Sequence, residues 1–437
     1  MKVAAVFIIL LLVLLPTMGV SMTGDGTLKG RLQTFVSYGL SLTSLLLCLF
    51  TIVVSIYSLT NDIKQRQIYT VITKPIRRFQ LLFGKLLGVI LLDAALLLLF
   101  SAIIYTITIY TPKFLNASEA ELISLNNEFF TARTSLTPAE ADVTQEVLDT
   151  YNKLEKTGQL LPGSSRKEVI DLLTSQKQLE KRAAAPGHEL VWEFSNVKLT
   201  DPNQSLFIRF NYDVSVNPPD LQVFSRWFVG DDRQLKYGAN IQTPIYTFDR
   251  KDLIRTFHEI KVPADAVAPD GYLMVGFLNI PLNNTVVIFP PGDRLAVLYK
   301  ADSFTANFLR AVLLILLRLI FLACLGILAS TFLSFPVAIL FCLAIFSTGT
   351  ISGFCLESFD FLSENISGLY SYTIRPVILL LPQFDKFSPA KFLVPARLLS
   401  WSLLAKAAGL MLCVKAILLL LFALLIFSYR EIAKVII

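Results

Sequence analysis

Charge is scarce in this chain: Asp, Glu, Lys and Arg make up only 16% of its 437 residues, against 54% hydrophobic residues. The mean hydropathy of +0.61 excludes an ordinary soluble globular surface. Histidine is nearly missing. His188 and His258 are far apart and have neither HExxH nor CxxC company, so a histidine and cysteine metal centre is not expected. The five cysteines, Cys48, Cys324, Cys342, Cys355 and Cys413, fall within or beside apolar runs. None lies in the long polar stretch between those runs, which excludes a disulfide framework there and leaves its stability to an ordinary core. There is no GxxxxGK[ST] to cradle ATP phosphates and no nucleophile elbow. Catalysis and a bound cofactor are therefore not expected on this chain, although a Ser-His-Asp arrangement assembled by folding stays open. The net charge of +6 comes without a basic nucleic-acid module, so no nucleic-acid partner is expected; anionic lipid accounts for cations placed beside apolar runs.

What the chain has instead is a set of six apolar runs. Val3–Val20 reads as a membrane helix. A signal peptide is the competing reading, weakened by the run's length and by the poor cleavage site in Gly19, Val20, Ser21 and Met22. Phe35–Leu59 and Leu86–Tyr110 each exceed the ~20 residues needed to cross a bilayer. Phe308–Phe335 and Val337–Phe354 are parted only by Pro336 and predict a helical hairpin, and Ala407–Phe427 is the last run. Residues 60–85 carry Lys64, Arg66, Lys74, Arg77, Arg78 and Lys85 against the single acid Asp62, which predicts a cytoplasmic loop. Parity then puts both termini in the cytoplasm and the stretch after Tyr110 on the opposite side. Residues 356–406 hold Arg375, Lys386, Lys391, Arg397 and Lys406 on that outer side, against the positive-inside trend. They read as helices lying in the outer interface or dipping partway in, with a reversed C-terminal half as the alternative.

The polar insert reads as a helical stalk over residues 111–185 and a β-sandwich over 186–303. Thr137-Pro138-Ala139-Glu140 has the form of a capping box, predicting a helix that stops at Gly158; Ser165 with Glu168 opens a second, toward Arg182. Beyond His188 the period becomes two, with Leu206, Ile208, Phe210, Tyr212 and Val214 alternating with Phe207, Arg209, Asn211 and Asp213. Glu189–Val197, Gln222–Val229, Tyr272–Ile280 and Thr285–Phe289 are further strand candidates. Trp192, Phe194, Trp227 and Phe228 could stack on sugars, but the alternation assigns most of them to packing. Asn116-Ala117-Ser118 fits a glycosylation acceptor and is read as a helix start. The fold class is thus an α-helical polytopic membrane protein of about six transmembrane helices, over 1–110 and 304–437, with an inserted α+β extracytoplasmic domain.

The loop between the second and third runs is the most informative local sequence. On residue chemistry alone, Asp62 opens a short surface helix, Pro75 ends it, and flanking cations hold it on anionic lipid as a lever; a solvated basic loop that only sets topology is the competing reading. The stretch Ser58–Leu87, through Asp62, Lys74-Pro75, Arg78 and Gly84-Lys85, resembles the first cytoplasmic loop of permease subunits in the type-2 ABC exporter family. The likeness is to the branch that includes the nitrous-oxide-reductase maturation permease. Leu325–Ala338, with Ser330-Thr331-Phe332 and Pro336, resembles that family's turn between its fourth and fifth spans. Leu381–Pro389, followed by Tyr429-Arg430-Glu431, resembles its short outer helices and tail. Gln67 departs from the family's usual threonine, and Met1 and Lys2 lead straight into the first run where family members open with an amphipathic helix. Residues 111–303 lie outside the resemblance.

That resemblance implies the membrane-spanning subunit of an ATP-driven transporter in the bacterial inner membrane, working as a homodimer or paired permease. A separate ABC ATPase subunit would carry the ATP and Mg and dock on Asp62, Arg66, Tyr69, Lys74, Pro75, Arg78 and Lys85. The sandwich would face a periplasmic partner or cargo. A membrane-anchored periplasmic ligand- or carbohydrate-binding protein and a secondary transporter are the rival readings. Asp93, Arg318 and Lys415 fall within apolar runs, where a charge costs at least a few kcal/mol and marks a candidate functional site; snorkelling or pairing between helices is the alternative.

Overall fold

The computed structural model describes residues 2–22, 24–65, 77–115, 117–157, 166–198, 204–234, 243–290, 294–359, 381–385 and 387–429, with isolated positions between 373 and 378. Its contacts divide the chain into a membrane-type unit, Met1–Ala132 with Asp302–Ile437, and an inserted unit, Arg133–Ala301.

The apolar runs fold as helices, the form in which a chain able to cross a membrane satisfies its own backbone groups without water. In chain order they are α1 (Lys2–Ser21), α2 (Leu28–Lys64), α3 (Arg78–Phe114), the short α4 (Glu119–Glu128) and then, after the insert, α7 (Phe304–Phe332), α8 (Phe335–Phe359), α9 (Ala390–Leu393) and α10 (Trp401–Tyr429). Among the described residues, five helices are long and apolar enough to cross a membrane, namely α2, α3, α7, α8 and α10. The expected sixth run forms α1, a shorter apolar helix that carries Pro16 within it. Polar caps set the ends: the Thr27 hydroxyl accepts from Gly30 N, Ser303 from Ala306 N and Ser400 from Leu403 N. α7 is the central helix, buried along most of its length among α2, α3, α8 and α10. Gly326 permits its closest approach, since a Cβ there would strike the Ser55 hydroxyl of α2.

The inserted unit is rich in β-sheet. Its elements are β1 (Thr131–Leu136), α5 (Thr144–Lys156), α6 (Arg166–Lys181), β2 (Ala183–Ala184), β3 (Glu189–Phe194), β4 (Leu206–Phe210), β5 (Asp213–Val214), β6 (Gln222–Gly230), β7 (Tyr246–Leu253), β8 (His258–Val262), β9 (Leu273–Asn279), β10 (Val287–Ile288) and β11 (Leu295–Ser303). Two four-stranded sheets, β1-β11-β4-β8 and β3-β9-β6-β7, face each other, with a small β2-β10-β5 sheet alongside. The aromatics of the two inner faces interlock: Phe210 lies 4.4 Å from Trp227 between ring centroids, Trp227 5.0 Å from Phe277, and Phe289 4.9 Å from both Phe277 and Trp192. Trp192, Phe194 and Trp227 are therefore core, and only Phe228 is half-buried.

The segment expected as a helical stalk, 111–185, is divided otherwise. Residues up to Ala132 belong to the membrane-type unit, where Lys29 Nζ pairs with Glu128 at 2.5 Å and Phe129 packs on Phe304 at 5.4 Å. Ser118 caps α4 with Glu121 in a reciprocal box, as a helix start requires. The capping box expected at Thr137 and Glu140 does not form: the helix starts at Thr144, whose N–H is held by the Asp142 carboxylate at 3.0 Å. Residues 131–136 are drawn into the sheet beside β11, so the chain leaves β1 as a strand and turns before helix can begin. The paired helices α5 and α6 close on Val147, Tyr151 and Leu173.

Candidate functional site

A stretch of non-helical backbone lies inside the membrane-type unit. Between α8 and α10, the described residues 381–399 contain only the single turn of α9; the rest is bends and turns, with Ala396 at φ 53°. Phe384, Leu393 and Leu399 are wholly buried. Irregular backbone at such a place is tolerated only where protein satisfies its polar groups.

Side chains from four surrounding helices supply that satisfaction. Arg318 of α7 donates through Nη2 to the Phe384 carbonyl at 2.8 Å and through Nη1 to the Ser44 hydroxyl of α2 at 3.3 Å. Lys415 of α10 donates to the Leu381 carbonyl at 2.7 Å, and Gln33 of α2 to Val394 O at 2.8 Å. Asn307 of α7 clamps two groups at once, donating to Arg397 O at 2.9 Å and accepting from Leu399 N at 2.8 Å. From α8, Gly349 O accepts from Phe384 N at 2.9 Å and Ser352 donates to the Asp385 carboxylate at 3.0 Å. Gly349 and Gly353, one turn apart, let the segment lie against α8: an added Cβ would come 2.6 Å from Pro382 O at the first and strike Asp385 at the second.

Lys415 sits in a further irregularity, a π-helical stretch over Gly409–Ala416 within α10. π-bulges recur at functional sites because one widened turn re-aims side chains out of the regular register. Here it accompanies a cation bonded to the broken segment. Sequence periodicity carried no signal for it, nor for Gln33 and Asn307.

Asp93 of α3 has a different environment. It is 1% exposed, its Oδ2 accepts from the Thr51 hydroxyl at 2.9 Å, and its Oδ1 has no hydrogen-bond partner among the described residues. Thr51 also lies 2.7 Å from Leu47 O, so its single proton is shared between two acceptors. Neither Asp93 nor Arg318 forms an ion pair with another described residue.

Of the residues expected to form a coupling loop, Arg66, Tyr69, Lys74 and Pro75 lie outside the described residues. Asp62, Arg78 and Lys85 are described, and all three tie the loop's stems to the bundle. Lys85 pairs with Asp62 and also donates to Ser58 O at 2.7 Å, joining the end of α2 to the start of α3. Arg78 donates through Nη1 to Phe427 O at 3.0 Å and Ser428 O at 2.6 Å, covering terminal carbonyls of α10 with a cation.

In the inserted unit, Thr256, His258 and Asp252 stand in a row: the Thr256 hydroxyl is 2.6 Å from His258 Nε2, and His258 Nδ1 is 3.5 Å from Asp252. The row locks the turn between β7 and β8. His258 Nε2 is also within 2.9 Å of Leu253 O, and Arg250 takes both Asp252 oxygens, at 2.8 and 2.6 Å. No family model, curated protein or solved structure matches this chain.

Proposed function

We propose that this chain is the membrane-spanning subunit of an ATP-driven, ABC-type transporter whose separate ATPase subunit docks on the loop between α2 and α3. The observation that carries the reading is the bracing of that loop's two stems. Through Asp62–Lys85 and through Arg78 on the α10 carbonyls, a push on the loop would reach α2, α3 and α10 together instead of being lost in loose chain. An ATPase closing on ATP and Mg would thus shift the bundle between two arrangements, and a second permease copy would complete the pathway. In this reading the chain lies in the bacterial inner membrane with both termini cytoplasmic, and α3 separates the cytoplasmic loop from a periplasmic insert that receives cargo or a partner.

Co-purification tests it. Detergent-solubilised protein should bring down a nucleotide-binding subunit, and Asp62→Asn or Lys74→Gln should weaken that association or its ATPase stimulation. If no such subunit appears and both substitutions are silent, the reading is wrong. A secondary transporter is the second reading, favoured by the broken segment 381–399, because interrupted helices line substrate sites in such proteins. Transport driven by an ion gradient in vesicles lacking any ATPase would select it. The five helices able to cross a membrane among the described residues exceed what anchoring a binding domain requires.

A further inference from the structure

A pocket of about 220 Å³ opens beside the broken segment. Its wall is built by α2 (Leu40, Ser41, Ser44, Leu45), by Arg318, by Phe346 and Thr350 of α8, and by Ser388, Pro389 and Ala390. Leu45 and Ser41 are exposed, so the mouth faces outward between α2 and α8. About half way along α7, Arg318 would lie deep in the hydrocarbon of a bilayer roughly 30 Å thick.

The chemistry of this wall is one-sided. A guanidinium carries five N–H donors and a full charge that cannot be given up. Arg318 spends donors on Phe384 O, on Phe387 O at 3.5 Å and on the Ser44 hydroxyl, none of which carries charge, and the acid on the same segment, Asp385, is bonded to Ser352 and reaches the guanidinium only through space. Among the described residues, no carboxylate pairs with it. Ser44 accepts from Arg318 and turns its own proton toward the Cys48 thiol, so it braces the guanidinium and adds no donor. Ser41 and Ser388 have no side-chain hydrogen bond among the described residues. Thr350 does not add a donor, since its proton goes to Phe346 O at 2.8 Å. The pocket therefore offers a fork and two unspent hydroxyl protons, with no carboxylate paired to the fork among the described residues, at a depth where an uncompensated charge costs several kcal/mol.

We infer that this pocket binds a phosphate group, with Arg318 as its fork and Ser41 and Ser388 as further donors. Donors from α2, α7 and the broken segment converge from three directions, which suits a tetrahedral oxyanion better than a planar carboxylate. The phosphate can be that of a lipid headgroup entering between α2 and α8, or a free ion. Binding needs no ATPase, so this site and the motor-coupled reading can fail separately.

The test is native mass spectrometry of the full-length protein in a neutral detergent, titrated with inorganic phosphate, phosphatidylglycerol or phosphate-free diacylglycerol. Saturable adducts of a phosphate-bearing species are expected, with no comparable diacylglycerol adduct. Arg318→Gln should weaken them about tenfold or more, Arg318→Lys less, and Ser41→Ala with Ser388→Ala about threefold. The serine pair holds no other described group, so it reports on binding even if Arg318→Gln disturbs the segment. Lys415→Gln, which loosens the same segment away from the pocket, should leave affinity unchanged. Arg318-dependent binding of phosphatidylglycerol alone assigns a headgroup, and of inorganic phosphate assigns a free ion. Absence of adducts, equal diacylglycerol binding, affinity untouched by the arginine and serine variants, or equal loss with Lys415→Gln overturns the assignment.

Discussion

Asn307 holds an amide and a carbonyl of the broken segment with one side chain, so Asn307→Leu takes the acceptor from Leu399 N and a bond from Arg397 O at once. Each unsatisfied buried group costs roughly 1–3 kcal/mol, and a clear fall in the thermal midpoint of the solubilised protein is expected, larger than for Gln33→Leu, which orphans only Val394 O. Asp93 gives the opposite sign. Asparagine keeps the bond to Thr51 and removes the burden of a charge whose Oδ1 has no partner among the described residues, so Asp93→Asn should leave the midpoint unchanged or raise it. If transport is also unchanged with normal insertion, Asp93 has no part in the mechanism. In the inserted unit, Arg233 is bonded to both Asp231 and Asp270, at 2.9 and 2.8 Å. The guanidinium's hydrogen bonds hold the Asp270 carboxyl down at about 2 and lower that of Asp231 as well. Because these values lie below the ~3.9 of an unfolded aspartate, the stabilisation is complete above about pH 4 and is lost as pH falls toward 2. Solvent screens the exposed Asp270, so most of the effect belongs to Asp231. Unfolding monitored by near-ultraviolet circular dichroism should show an acid-dependent shift in that window that Arg233→Gln abolishes.

At the scale of elements, the broken segment depends on α8 as much as on its own sequence. Gly349→Ala forces a Cβ against the Pro382 carbonyl and Gly353→Ala forces one against Asp385, and each should destabilise the protein by about 1–3 kcal/mol in thermal melts, while alanine at Gly409, which meets nothing within 4 Å, should not. The apolar runs were readable as helices because twenty or more apolar residues leave the backbone no other solution in hydrocarbon. Strands were less readable where charge interrupts the alternation. β7, with Asp249, Arg250, Lys251 and Asp252, sits at a sheet edge, where one row of backbone groups faces outward and charged side chains are tolerated. β1 was hidden behind a capping signal at Thr137 that is locally reasonable but loses to pairing with β11. The π stretch in α10 had no sequence signature, because one extra residue in a turn changes register without changing composition.

For the whole molecule, side-specific labelling of single engineered cysteines is the decisive measurement. A cysteine placed at Thr70 should react from the cytoplasmic side and one at Val191, an exposed position on β3, from the other. The native thiols Cys48, Cys324 and Cys342 are buried and give little background, and the exposed Cys413 lies within α10. Labelling of both engineered positions from one side would contradict the topology on which the motor-coupled reading rests. Lys85→Met tests the bracing itself: loss of an ion pair that is only partly buried should cost ~1 kcal/mol or less of stability, yet it should reduce any ATPase-coupled transport far more.

Residue order alone was enough to find the helices long and apolar enough to cross a bilayer and the existence of a polar insert rich in strands, because hydropathy and period are properties of the chain read in order. It also marked Asp93, Arg318 and Lys415 as costly. What meets those charges was settled by folding in three dimensions: a hydroxyl for Asp93, and main-chain carbonyls of an irregular segment for Arg318 and Lys415. That outcome could not be read from the linear chain, because the unsatisfied carbonyls arise only where helix gives way to turns, and most of their donors come from helices far away along the chain.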